Sequence, residues 1–229
     1  MALLASLWCA VAVAQTYKPF PGTTSDSRTI RLQESVDQLY SAGNFERALF
    51  IYEKDLAPRG DKYAQYMVGY MYLHAQGVLQ DKAKAFAWYR LAAERGESVL
   101  QRPQRELIDS MSPAETARSD RILVNLRDSI GDMQLVAELI EQDLKILKER
   151  TGSRLPKAEY SGPLIVIKPG GGTAGPNYYH DVRVRLEVRL NYLDTRIEIS
   201  DIALQIDDEK QLRILQEQAK SELAALDQE

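Results

Sequence analysis

Between residues 28 and 152 apolar and small residues return at helical spacing, and most of these stretches stop at a glycine. Ile30, Val36, Leu39 and Tyr40 form one stripe that ends at Gly43. Phe45, Ala48, Leu49, Tyr52 and Leu56 form the next, closed by Pro58 and Gly60. Residues three and four apart share one face of an α-helix, so each stripe predicts an amphipathic helix with a single buried side. Glycine followed by an acidic residue recurs as Gly60-Asp61, Gly96-Glu97 and Gly131-Asp132, 36 and then 35 residues apart. Glycine just past a helix end enters the left-handed conformation without a Cβ penalty, and the acidic residue is placed to cap the following helix. A period in the thirties marks stacked helical hairpins that bury their faces on one another. The pattern predicts an all-α fold, a short α-solenoid of helix-turn-helix repeats over residues 28–152.

The clearest hairpin places Ala64, Met67, Val68, Met71 and Tyr72 on one face with Gly69 among them, breaks at Gly77, and resumes after Asp81 with Ala85, Trp88, Tyr89, Ala92 and Ala93. Small residues let two helix axes approach, and the aromatic rings fill what is left. The run Ala64 to Tyr72 (AQYMVGYMY), then Gly77-Val78, Asp81, and Ala85 to Gly96 (AFAWYRLAAERG), resembles one full Sel-one-like repeat, a relative of the tetratricopeptide repeat, over residues 61–96. Ala75 stands where that pattern carries another glycine. Ala48 and Tyr52 lie 37 residues ahead of Ala85 and Tyr89, so the preceding unit repeats the second half of the motif. The resemblance implies a scaffold or adaptor that binds a protein or peptide, and no enzyme. Cysteine-rich members of the family are associated with β-lactam binding or hydrolysis, so an envelope hydrolase of that β-lactamase-like kind is the alternative. Those members staple each repeat with a disulfide, which the single Cys9 cannot provide.

Further along, Ser112-Pro113-Ala114-Glu115 is a capping box with proline at the first helical position. The helix it opens runs through Ile122, Leu123 and Leu126 to Gly131. Asp132 opens another, with Leu135, Val136, Leu139, Ile140, Leu144 and Leu147, which the pattern places as the capping helix of the stack. Residues 153–177, rich in Pro and Gly, read as a linker. The C-terminal segment 178–229 is mostly helical. Val182, Leu186, Leu190, Leu193 and Ile197 fit four helical turns, although Val182, Val184, Leu186, Val188 and Leu190 also alternate as a strand does. A final helix from about Asp208 to Ala225 carries the stripe Leu212, Leu215, Ala219 and Leu223, which suits a partner helix and self-association.

Composition narrows the role. A net charge of -4 and a pI near 5.4 argue against nucleic acid as a partner. Residues 1–14, MALLASLWCAVAVA, are apolar, too few for a stable membrane span, and end in a small-x-small pattern. They read as a signal peptide cut before Gln15, with residues 15–27 a flexible lead-in, which makes the protein periplasmic or secreted and its partner a molecule of the cell envelope. Only His74 and His180 offer imidazoles, and no spacing suits a metal, a cofactor or a catalytic group. Gly170-x-Gly172-x-x-Gly175 lacks the βαβ context that a dinucleotide needs. Trp88 and Tyr89 belong to the core stripe. Tyr66, Tyr70 and Phe86 lie partly off it and form the candidate partner-binding surface.

Overall fold

The computed structural model describes residues 20–22, 27–149, 166–167, 173–174, 177–199 and 206–226. The leader expected at 1–14 and most of the linker expected at 153–177 fall outside them. Helix α1 (Ser27–Ser41) leads into α2 (Phe45–Ile51), which continues as a π turn over Tyr52–Leu56 and a 3-10 turn over Ala57–Arg59. The second hairpin is α3 (Lys62–Leu73) and α4 (Lys82–Ala92), and the third is α5 (Ser98–Ile108) and α6 (Pro113–Ile130). Helix α4 is the hub, with α3, α5 and α6 all packed against it. The fold is the all-α helical repeat that the periodicity predicts.

Local chemistry sets the boundaries. Gly60 and Gly96 end their units in the left-handed conformation, at φ 78° and 83°. The Asp61 carboxylate accepts the Ala64 N–H at 3.0 Å and the Asp81 carboxylate the Lys84 N–H at 3.0 Å, each fastening a helix start. Ser112 and Glu115 form the capping box. Gly131 departs from the pattern. Its backbone is extended, at φ -69° and ψ 159°, and a Cβ there would lie 2.6 Å from the Arg127 carbonyl oxygen. Glycine is needed at this point for close approach and not for handedness. Hydrogen bonds tie one repeat to the next at a period's separation: Tyr40 Oη donates to Gln76 Oε1 at 2.9 Å, and the Arg118 guanidinium donates to both Asp81 oxygens at 3.0 and 2.6 Å.

The chain after Gly131 builds a second core. Helix α7 (Asp132–Lys148) lays Val136, Ile140, Leu144 and Leu147 against Val182, Leu186, Leu190 and Leu193 of α8 (Tyr178–Ile199) and against Leu212, Leu215 and Ala219 of α9 (Ile206–Leu226). Between α7 and α8, β1 (Val166–Ile167) pairs antiparallel with β2 (Thr173–Ala174), in the register Val166 to Ala174. The helical reading of Val182 to Leu193 holds, since Val184 and Val188 of the alternating set face solvent. Two expectations change. Helix α7 is not an outer cap, because its apolar face is covered by α8 and α9; the cores divide at Gly131, upstream of the linker. The α9 stripe expected to drive self-association is likewise already buried, on α7 and α8.

Candidate interaction surface

Helix α3 presents aromatic rings in a row. Tyr63, Tyr66, Tyr70 and His74 are spaced by three or four residues and so share one face. Ring centroids are 6.3 Å apart from Tyr63 to Tyr66, 6.3 Å from Tyr66 to Tyr70, and 4.2 Å from Tyr70 to His74. Tyr52 extends the row, 6.4 Å from Tyr63. Tyr63 is 57 % exposed, while Tyr66 and Tyr70 are half-buried with their outer edges open.

The frame behind the row is tight. A Cβ on Gly69 would meet the Tyr89 ring at 2.9 Å and the Ala85 carbonyl oxygen at 3.1 Å, so α3 and α4 touch almost backbone to backbone. Tyr89 fills the space this leaves and reaches Tyr66 at 5.5 Å. The far wall is α5, which contributes Pro103, Glu106 and Leu107; Tyr66, Tyr70, His74, Lys82 and Tyr89 complete a groove of about 440 Å³. Pro103 sits inside α5, where it removes one intrahelical hydrogen bond and presents a rigid ring to the groove.

The Tyr63, Tyr66 and Tyr89 phenols stay neutral. Burial pushes the Tyr66 phenol up, with Tyr70, Tyr40 and Glu106 adding to it, and burial with Asp37 does the same at Tyr63. The deeper Tyr89 is raised further by burial. The groove therefore offers π faces and phenol donors. His74 is the C-cap residue of α3 and stacks on Tyr70; His180 is exposed at the start of α8. Among the described residues no group of three or more His, Cys, Asp or Glu is placed to hold a metal ion, and no described helix is long and apolar enough to cross a membrane.

Of the three residues singled out in the sequence, the structure brings Tyr66 and Tyr70 together in the groove and excludes Phe86. Phe86 is 7 % exposed and lies in the core beneath Arg90, whose guanidinium carbon is 5.4 Å from the ring centre. The reason is the hub position of α4: helices cover it on several sides, and its aromatic face has no free aspect. Tyr63, His74 and Pro103 are the site residues that sequence reasoning missed. The first two were legible, because they continue the spacing of Tyr66 and Tyr70 by one step in each direction.

Inside the junction of the two cores lies a second polar assembly. The Lys62 ammonium donates to Gln65 Oε1 at 3.0 Å, to the Leu91 carbonyl at 3.0 Å and to Glu94 Oε2 at 3.2 Å, and pairs with Asp132 Oδ1 at 3.1 Å. Arg95 grips Asp132 through two bonds of 2.9 Å. Asp132 is thus turned inward as an ionic anchor rather than outward as a cap. Burial raises its carboxyl, but the Arg95 hydrogen bond with Lys62 and Arg95 charge outweighs this and holds it below the usual carboxylate range. The arrangement joins α3, the turn after α4, and α7 through buried ion pairs and is structural.

No curated protein and no solved structure matches the chain. Residues 62–97, from the first turn of α3 to the residue that precedes α5, match the family model of the Sel1 repeat, a repeat that generally serves in protein–protein interaction.

Proposed function

We propose that the protein is an exported scaffold or adaptor that holds a protein or peptide of the cell envelope in the groove between α3 and α5. The observation that carries this reading is the solvent-edged row Tyr63, Tyr66, Tyr70 and His74 on a frame locked by Gly69 and Tyr89. Tyrosine brings a large contact area with few rotatable bonds, so a row pre-set by packing loses little entropy when a partner covers it. A groove of about 440 Å³ takes a few side chains of a docked segment. Export rests on the apolar stretch 1–14 with Ala12 and Ala14 at its end.

Crosslinking and pull-down from the native compartment test both halves. Wild type should return a stoichiometric partner, and a Tyr66→Ala, Tyr70→Ala double variant should lose about 2 kcal/mol of binding, roughly thirtyfold in Kd, while keeping a wild-type helical circular dichroism spectrum at the binding temperature. Undiminished capture by the double variant would move the partner site elsewhere. The recovered protein should begin at Gln15; full-length chain in the cytoplasm removes the export reading. Turnover of a β-lactam by the pure protein would replace the scaffold with the hydrolase.

A further inference from the structure

Residues Phe20, Pro21 and Gly22 precede the first helix and lie where the two cores meet. The Phe20 ring meets Tyr192 of α8 edge-on, with centroids 5.6 Å apart and planes at 86°. Its face receives the Arg95 guanidinium carbon at 3.9 Å. Arg95 in turn donates to the Gly60 carbonyl at 3.0 Å and to Asp132 of α7, and Tyr192 Oη reaches Asp132 Oδ2 at 3.5 Å. One residue on, the Pro21 carbonyl accepts a hydrogen bond of 3.2 Å from Nε of the buried Arg189 in α8. A three-residue segment therefore touches Arg95 on the repeat side and Tyr192 and Arg189 on the bundle side.

The need for such a piece follows from the junction. Helices α6 and α7 are separated by Gly131 alone, and that residue carries an extended backbone with no side chain to lock it. Apart from the chain crossing, the two cores are tied by the Asp132 anchor and by Leu135 of α7, which lies against Gly60. We propose that Phe20–Gly22 is a clasp that couples the repeat stack to the α7–α9 bundle and makes them unfold as one unit. Proline at 21 restricts Phe20 to extended conformations, so the clasp is partly set before it docks. The cation-π contact and the edge-on ring pair give it a defined seat rather than a general apolar one. The proposal stands on contacts outside the groove and is independent of what the groove binds.

The test is calorimetry and native-state hydrogen exchange on the full chain. Wild type should show one unfolding transition, with core amides of Val68 and Leu91 exchanging at the same free energy as those of Leu186 and Leu190. Phe20→Ala should split the transition in two and separate the exchange rates of the two sets by at least tenfold. Two transitions in wild type overturn the proposal. So does a single transition in Phe20→Ala, whether at the wild-type temperature or lowered with both sets still exchanging together, since the segment then adds burial without coupling. If Phe20→Ala does not fold, Phe20→Leu keeps the volume and removes the ring. Exchange in the Leu variant should diverge between the cores, and matched exchange overturns the clasp.

Discussion

The repeat stack and the α7–α9 bundle solve the packing problem with different materials. In the stack, helices that pack together are near neighbours in the chain, and the fit comes from small residues set against rings, as with Gly69 and Ala85 beside Tyr89. In the bundle, α7 meets α8 and α9 across the long 149–177 excursion, through branched aliphatic stripes. The bundle also buries charge. Arg189 and Asp143 are each 1 % exposed and are bonded to one another, while Arg189 also donates to the Leu139 carbonyl at 3.1 Å and Arg185 donates to Asp143. Local contacts between complementary shapes fix the register of the stack. Apolar stripes on three helices slide more readily past one another, and a buried ion pair whose guanidinium also donates to the Pro21 and Leu139 carbonyls penalises other registers.

The sharpest way to break this comparison is to cut between its halves. A chain of residues 15–155 keeps α7 but removes its partners, baring Val136, Ala137, Ile140, Leu144 and Leu147. Each fully buried side chain of this kind is worth about 1.5–3 kcal/mol, so the cut end should seek another surface. The repeat stack should stay helical, while the protein binds a hydrophobic dye and self-associates in sedimentation. A monomer that binds no dye would mean that α7 needs neither α8 nor α9.

Next in size is Asp143→Ala. It strands a guanidinium in the bundle core and should cost about 3–5 kcal/mol. Denaturant unfolding read by exchange of bundle amides should register the loss; stability unchanged within 1 kcal/mol would show that Arg189 finds water or another acceptor. Gly69→Leu is the matching test in the stack. Its side chain has to enter the space of Tyr89 and the Ala85 carbonyl, and overpacking should cost about 1–3 kcal/mol. Equal melting temperatures for mutant and wild type would mean that α3 and α4 separate freely at this point.

The stack was legible in the sequence because its rules are local. Glycine at helix ends, Asp61 and Asp81 as caps, the box at Ser112 and the small-aromatic stripes each act within one turn or between adjacent helices. Helix α5 escaped a residue-level reading because Pro103 interrupts it and only Leu100 and Leu107 are well buried. The bundle's helices were legible one at a time, but their association was not. Nothing in Leu212, Leu215 and Ala219 says whether the partner is α7 or a second molecule, since an apolar stripe specifies a need for cover and not its source. Phe86 failed for a related reason: a position off the main stripe is exposed only when the helix has a free side. Asp132 looked like a cap because caps and ionic anchors share a residue type.

The junction between the regions should reveal itself in acid. Asp132 has a folded pKa below its unfolded one, so its contribution is present above the ordinary carboxylate range near about 3.9 and is lost as pH falls through the folded value. Asp132→Asn should be less stable at neutral pH and show a flatter decline with acid than wild type. Parallel acid limbs would assign the decline to other carboxylates.

The smallest effect concerns a single backbone angle in the stack. Ala75, which stands where the repeat pattern carries glycine, has φ 55° and is the one non-glycine residue with positive φ among those described. The left-handed conformation brings Cβ toward the following carbonyl and costs about 1–2 kcal/mol in an L-residue. The turn tolerates this because both sides are held: Gln76 N–H donates to the Met71 carbonyl at 3.0 Å, and Tyr40 binds the Gln76 side chain from the preceding repeat. Ala75→Gly removes the clash but gives the unfolded chain more freedom, which offsets about 0.5–1 kcal/mol of the gain. The net stabilisation should be about 0.5–1 kcal/mol, a rise of a few degrees in melting temperature with no change in the groove. A fall in stability would show that the unfolded-state entropy outweighs the strain. The tie between Tyr40 and Gln76 would then be holding the turn in place with little strain to relieve.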